Sequence, residues 1–362
     1  MAAVNAGAVT LQAEGENQEP PEEMAAAAAA PRPWPAAMAE RYERREKLGQ
    51  GMFGDVHSAW DHVDGRFVVV KRHAGRTGGG FQREAMSLAA CRGHPSVVQL
   101  LATYASNGND DRFIVTEYAG PKNLRQFMES RRREGLPFDE DEVREAMRQL
   151  LAGVERAHSA DVLHRRIVPE NVIVGLGSAA ASGDEGRTVV YKISGFGASE
   201  PAAAVAERGD GSGPLASPSP YRAPELFLGS RDYDGRVDTW GLGCIMAELL
   251  AGTAAPLFGG GRDSEVLGKM LRVVGADGIV RWSGLERVAT CDRVARVRKA
   301  WRRERERGHL REVFPPEVLS PAGFRVLKGL LRSDPDRRLT AAAALRMPWF
   351  RRRGGFGGCS LA

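Results

Sequence analysis

After residue 41 apolar and polar positions alternate, and glycines interrupt the alternation. The runs "EKLGQGMFGDVHSAW" (46–60) and "GRFVVVKRH" (65–73) predict strand, glycine turn, strand, turn, strand. "REAMSLAACR" (83–92) predicts a short helix, and "VVQLLATY" (97–104) and "RFIVTEYAG" (112–120) predict two more strands. The period then shifts. Val143, Met147, Leu150, Leu151 and Val154 follow i, i+4, i+7, i+8, i+11 spacing, one apolar face of a helix. Asp139, Glu140, Asp141 and Glu142 crowd its first turn, where the helix dipole favours negative charge. Short strands return at Val172–Val174 and Val189–Ile193. "DTWGLGCIMAELLAG" (238–252) reads as a mostly apolar helix stopped by Gly252, and the remainder to Arg353 as largely helical. The order predicts an α+β chain: a small β-rich lobe, then a larger helical one.

Residues 1–40 break with this pattern. They are rich in Ala, Glu and Pro, include six alanines from Ala25 to Ala30, and offer few large side chains to bury, so the expectation is a disordered tail. The whole chain has 362 residues, 43% hydrophobic and 27% charged, within the range of soluble domains. A net charge of +5 could favour acidic partners but does not indicate nucleic acid. Cys91, Cys244, Cys291 and Cys359 form no CxxC pair, which favours reduced thiols over a disulfide framework or zinc site. No apolar run approaches the roughly 20 residues of a membrane helix.

Gly49, Gly51, Gly54 and Val56 form G-x-G-x-x-G-x-V. With 43 glycines in the chain this pattern alone is weak. A dinucleotide fingerprint would need the turn to open a helix, whereas strand pattern continues on both sides and "VVVK" ends at Lys71. That order fits a hairpin folded over nucleotide phosphates, with a lysine pairing the α- and β-phosphates. The plainer alternative is a simple hairpin and a surface lysine. Glu84, on the next helix, can reach Lys71.

"HRRIVPEN" (164–171), "SGFG" (194–197), "YRAPE" (221–225) and "DTWGLG" (238–243) add a second layer. With these motifs in order the chain resembles eukaryotic protein kinases over residues 42–350. "SPYRAPELFLGSRDYDGRVDTWGLGCIMAELLAG" (219–252) and "LFGGGRDSEVLGKMLRVVG" (257–275) are similar to the cyclin-dependent-kinase branch, the CMGC group, and the Ala- and Gly-rich style to its plant F class. The resemblance implies a two-lobed fold, with an N-lobe at 42–118, a C-lobe at 119–350 and a basic, Gly-rich tail at 351–362. It implies that Leu48, Gly49, Gln50, Gly51, Met52, Phe53, Gly54, Asp55 and Val56 cover ATP. Val56, Val69 and Ile173 would sandwich the adenine, Thr116 would stand behind it, and Glu117 and Ala119 would offer backbone groups. Leu88, Leu100, His164 and Phe196 would stack between the lobes. Glu225 would pair with Arg338, and Asp238 would brace the catalytic loop.

The pattern breaks where phosphate transfer occurs. The family's catalytic loop reads H-R-D-x-K-x-x-N. This chain has Arg166 at the base position, Val168 in place of the lysine, and retains Asn171. An arginine side chain has five donors and no acceptor, so it cannot take the substrate's proton. The metal motif D-F-G reads Gly195, Phe196, Gly197, leaving Asn171 as the surviving metal ligand. Glu170 and Asp184 are carboxylates nearby in sequence, but neither sits at a matching position. Residues 175–188 read as an inserted flexible loop. ATP is implied, met by Lys71 and Arg166. The missing aspartates count against Mg²⁺, and the bulk of Val69 counts against ATP. The expectation is an impaired kinase acting as a scaffold or allosteric partner; the alternative is an active, atypical Ser/Thr kinase.

Partners would be proteins, bound as substrates or in a hetero-complex, with the chain otherwise monomeric. Gly78, Gly79 and Gly80 before Phe81, Gln82, Arg83 and Glu84 count against a standard cyclin. Gly213 stands where the activating threonine is expected, with Ser212 beside it as a phosphorylation candidate read by Arg165. "RVARVRKAWRRERER" (293–307) carries eight basic residues, either a nuclear-targeting patch or a solvated face. "CSLA" at the end could place a prenyl group on Cys359, the one route to a membrane. Nucleus or cytoplasm is the expected location.

Overall fold

A computed structural model describes residues 33–351, except 52–53, 75–78, 107–109, 178–187, 209–218, 289 and 304–307. Residues from Pro35 onward belong to one compact unit. It opens with a single helical turn, α1 (Ala36–Ala39), and a sheet. Strands β1 (Tyr42–Gly51), β2 (Gly54–Asp61), β3 (Arg66–His73), β4 (Leu100–Ala105) and β5 (Arg112–Glu117) are antiparallel in the order β1-β2-β3-β5-β4. Alternation decides their faces: on β3, Val68 and Val70 are buried while Val69 and Lys71 face the other way, toward a cleft.

Helix α2 (Gly79–Ala90) lies against this sheet. It starts four residues before the expected Arg83, with two glycines in its first turn, so packing overrides local propensity here. The anchors are Glu84, Ser87 and Leu88, all buried.

The chain then enters the helical lobe through β6 (Lys122–Asn123), α3 (Leu124–Arg133) and α4 (Glu140–Ser159). Glu140, Asp141 and Glu142 occupy the first turn of α4 as expected, while Asp139 stands one position before it and caps the helix in a reciprocal box with Glu142. Val143, Met147, Leu150, Leu151 and Val154 are at most 1% exposed, each contributing roughly 1.5–3 kcal/mol of apolar burial. Strands β7 (Val162–Leu163), β8 (Val172–Gly177), β9 (Thr188–Ile193) and β10 (Glu200–Pro201) form two small sheets. The segment read as a loop from 175 to 188 is shorter at both ends, because β8 and β9 pair out to Gly177 and Thr188; residues 178–187 lie outside the described residues.

Helices α5 (Ala202–Arg208), α6 (Pro224–Phe227) and α7 (Arg236–Ala251) follow. Every residue of α7 from Val237 to Leu249 is buried, and Gly252 ends it at φ +62°. Among the described residues, helix α8 (Asp263–Val274) and six further α-helices, each of 13 residues or fewer, complete the lobe. Arg338 donates to both oxygens of Glu225 at 2.7 Å, and this pair lies against Trp240. The lobes are stitched by backbone: Val98 N donates to Ile193 O, and Ile193 N to Ser96 O.

Candidate functional site

Between the lobes lies a cleft of about 580 Å³. Its roof is the β1–β2 hairpin and the outward face of β3. Leu48, Gly49, Gln50, Gly51, Val56, Val69 and Lys71 all line it. Gly54 sits at φ +153°, where a Cβ would lie 2.2 Å from Arg72 O, so the hairpin admits no side chain there. Gly54 and Asp55 are not in the lining; Asp55 instead meets Lys47 Nζ at 2.6 Å on the hairpin. Met52 and Phe53 lie outside the described residues.

Lys71 Nζ donates to Glu84 Oε2 at 2.5 Å, and His73 Nε2 stands 3.2 Å from the same oxygen. Burial pushes the Glu84 carboxyl up. The charge of Lys71 and the contacts from His73 and Lys71 outweigh this and hold it below the ordinary glutamate range. Helix α2 is held from its other side too, by a 2.7 Å hydrogen bond between the buried hydroxyls of Ser87 and Ser199.

The back and floor come from β5, the turn after it, and β8. Thr116, Glu117, Ala119 and Ile173 line the cleft. The turn packs so closely on β8 that a Cβ at Gly120 would lie 2.1 Å from Val174 O, and one at Gly175 2.0 Å from Ala119 O. The Glu117 carboxylate accepts from Lys192 Nζ at 2.6 Å and Gln99 N at 2.9 Å, which fixes the hinge.

The loop 164–171 is braced from beneath by Asp238. This buried carboxylate accepts from His164 N at 2.9 Å and Arg165 N at 2.7 Å, and meets His158 Nε2 at 2.9 Å. Burial raises its pKa, but the bonds and charge of His158 and the His164 donor prevail and lower it. Arg165 is held at φ +65°, a strained geometry for a residue with a Cβ. His164 donates from Nε2 to Ser194 O at 2.9 Å and accepts at Nδ1 from Arg166 N at 3.2 Å, which requires a neutral ring. Burial depresses its pKa accordingly. Its ring meets Phe196 edge-on at 4.6 Å; Leu88 and Phe196 belong to the buried core, and Leu100, partly buried, packs against that core.

Above the loop the chemistry differs. Arg166 lines the inner end of the cleft with Asn171, Ser194 and Gly195. Asn171 Nδ2 donates to Arg166 O at 2.9 Å. Gly195 is left-handed at φ +80°, and a Cβ there would lie 2.6 Å from Asn171 Oδ1. The Asn171 amide therefore fills the space a side chain at 195 would need. Val168 is 1% exposed and packs in the core, away from the cleft. Each carboxylate lining the cleft already has a cation: Glu84 has Lys71, Glu117 has Lys192, and Glu170 has Arg125 at 3.1 Å. Among the described residues, no group of three His, Cys, Asp or Glu side chains is placed to hold a metal.

Thus Lys71, Glu84, Arg166, Asn171, Val56, Val69, Glu117, Ala119 and Ile173 converge on one cleft. Sequence reading missed Lys122 and Lys47 in the lining, and it missed the partner of Arg165. The Arg165 guanidinium is bound to Glu200, both side chains being 10% exposed. The Arg165–Glu200 pair follows from β10 pairing with β7, a tertiary contact with no local pattern. Asp184, Ser212, Gly213 and Cys359 lie outside the described residues. Of the basic run at 293–307, Arg298, Lys299 and Arg302 are exposed.

The protein kinase domain family matches residues 42–350. A rice protein (Oryza sativa subsp. japonica), provisionally named cyclin-dependent kinase F-2, is 45% identical over 322 residues, covering 86% of this chain and 90% of the relative. Cyclin-dependent kinase G-2 of Oryza sativa subsp. indica is 32% identical over 323 residues, spanning 86% of this chain but 42% of that longer protein. Cell division control protein 2 homolog 1 of Trypanosoma brucei brucei is 29% identical over 335 residues, or 86% of this chain and 99% of the relative.

Proposed function

The chain belongs to the protein kinase family, in its cyclin-dependent-kinase-like Ser/Thr branch, and from that premise we propose that it binds ATP between its lobes without transferring the phosphate efficiently. It would act as a nucleotide-responsive scaffold for protein partners. The observation that carries this reading is the pairing in the cleft: every lining carboxylate is engaged by a cation, and the base position holds Arg166.

Magnitudes support it. A positioned general base contributes about 10²–10⁴ in rate. Loss of metal clamping removes several kcal/mol of transition-state stabilisation in addition. Binding needs neither: Lys71, its Glu84 partner and the glycine hairpin are in place for phosphates, and Val56, Val69 and Ile173 flank a slot for a base. The family's usual Mg²⁺ fits these residues poorly, since the described residues place the neutral Asn171 Oδ1 beside Gly195 and pair each lining carboxylate with a cation.

The test is a thermal-shift titration of the full chain with ATP. The expected result is saturable stabilisation in the wild type and its loss in Lys71→Ala. A shift of equal size in both proteins would defeat the reading. A cyclin is not required by this proposal, because α2 is docked through Lys71–Glu84 and Ser87–Ser199 within the chain itself.

A further inference from the structure

The inner end of the cleft has an unusual balance of charge for a site in this family. Two cationic side chains, Lys71 and Arg166, line it. Among the described residues, Glu84 lines the cleft beside Lys71, is 4% exposed and is bonded to it. Glu170 also lines the cleft but is half-exposed and turned to Arg125. At position 195 there is no side chain, and the Asn171 amide occupies the space one would take, with Nδ2 committed to Arg166 O.

We propose that the ligand of this cleft is the uncomplexed nucleoside polyphosphate, and that Mg²⁺ competes with the protein for it instead of bridging the two. The proposal rests on the nucleotide-binding reading above and deepens it. Mg²⁺ demands near-octahedral oxygen ligands and is usually held by one or two carboxylates with the phosphates. Among the described residues lining the cleft it would find the neutral Asn171 amide oxygen and carboxylates already paired with cations. It would also sit beside the Arg166 guanidinium, and like charges at close range repel strongly in a partly dry cleft. The guanidinium, by contrast, matches phosphate oxygens with two parallel N–H donors and is weakly hydrated.

Linkage fixes the sign. A metal that binds the free nucleotide but gains nothing in the complex must weaken the complex, because it neutralises the phosphate charge that Lys71 and Arg166 read. The ordinary site of this family has the opposite sign, since there the metal joins protein carboxylates to the phosphates. Charge also orders the ligands: a triphosphate binds above a diphosphate, and a diphosphate above a monophosphate.

The experiment is calorimetric titration of the full chain with ATP at matched ionic strength, in EDTA and in excess MgCl₂. The expected apparent Kd is at least about tenfold lower in EDTA. Arg166→Gln should narrow that gap by weakening binding in EDTA, and Arg166→Lys should restore part of it. The melting temperature of each ligand-free variant controls for folding. Equal or tighter binding in MgCl₂ overturns the antagonism and leaves the nucleotide reading standing. Absence of binding in both conditions, with Lys71→Ala indistinguishable from wild type, overturns both. A gap that persists unchanged in Arg166→Gln removes Arg166 from the account and defeats the proposal as stated.

Discussion

The loop from His164 to Asn171 has two faces, and they have fared differently. Beneath it, Asp238 matches the amides of His164 and Arg165 and the ring of His158, and it holds Arg165 at a positive φ. That strain costs on the order of 1–3 kcal/mol and survives only where surrounding contacts impose it. Above it, Arg166 stands among the residues that line the cleft, Val168 is buried in the core, and Gly195 yields its space to Asn171. The contrast separates two demands that an active kinase meets together. Building the lobes and the cleft between them is a matter of burial and buried hydrogen bonds. Moving a proton and a phosphate needs uncommitted carboxylates, and this chain has none placed there among the described residues.

The comparison breaks most readily from below. Asp238→Ala leaves two buried amides and the His158 ring without their acceptor, so a loss of about 3–5 kcal/mol is expected. At roughly 2–4 °C per kcal/mol, the melting temperature should fall by about 6–20 °C in a calorimetric scan. If the melting temperature does not move, the lower face is not what holds the loop.

Acid attacks the same face in two stages. His164 is buried neutral with a depressed pKa, so the unfolded chain takes up a proton that the folded chain refuses. Stability from this group is complete above the unfolded histidine value near 6.5 and is lost as pH falls below it. Asp238 and Glu84 also have lowered folded pKa values, so their contributions are present above the unfolded carboxylate values near 4 and disappear as pH falls through that range. Melting temperatures measured from pH 7.5 down to 3.5 should decline in those two steps. Glu248 opposes the trend: burial raises its pKa, so its protonation on acidification stabilises the fold.

Gly195→Ala probes the upper face. It places a Cβ in a left-handed backbone and against Asn171 Oδ1, with an expected cost of about 1–2 kcal/mol by chemical denaturation. The smallest effect belongs to Arg166→Gln, whose change in stability without ligand should stay within about 0.5 kcal/mol. Arg166→Asp should likewise add no phosphate transfer, because Val168 and Gly195 remain as they are. Activity appearing in that single variant would mean the base alone was missing.

The helical frame was legible in the sequence because it follows local rules, whereas the Asp238 brace was implied only by the family resemblance. The α4 stripe from Val143 to Val154 and the Gly252 stop are periodicity and capping, and both formed; the Asp139 cap emerged only in the fold. Lys71 and Glu84 were expected to meet, and they do, because packing docks α2 on the sheet. What stayed hidden lies between distant segments. Nothing near Arg165 announces Glu200, 35 positions away. Gly195 shows a missing aspartate in sequence, but only the fold shows Asn171 filling the gap. Asp55, expected in the cleft, is drawn to Lys47 by the hairpin register that pairs β1 with β2. The early start of α2 at Gly79 has the same origin: burial of Glu84, Ser87 and Leu88 outweighs two unfavourable glycines.

One measurement reaches the central claim directly: transfer of radiolabelled γ-phosphate from ATP to a generic basic protein substrate and to the chain itself, compared with Lys71→Ala under the same conditions and with nucleotide occupancy confirmed in the same samples. The expected result is bound ATP with label incorporation equal to the Lys71→Ala background. Incorporation well above background that Lys71→Ala abolishes would contradict it, and would mean that a carboxylate now paired in the cleft is released for catalysis.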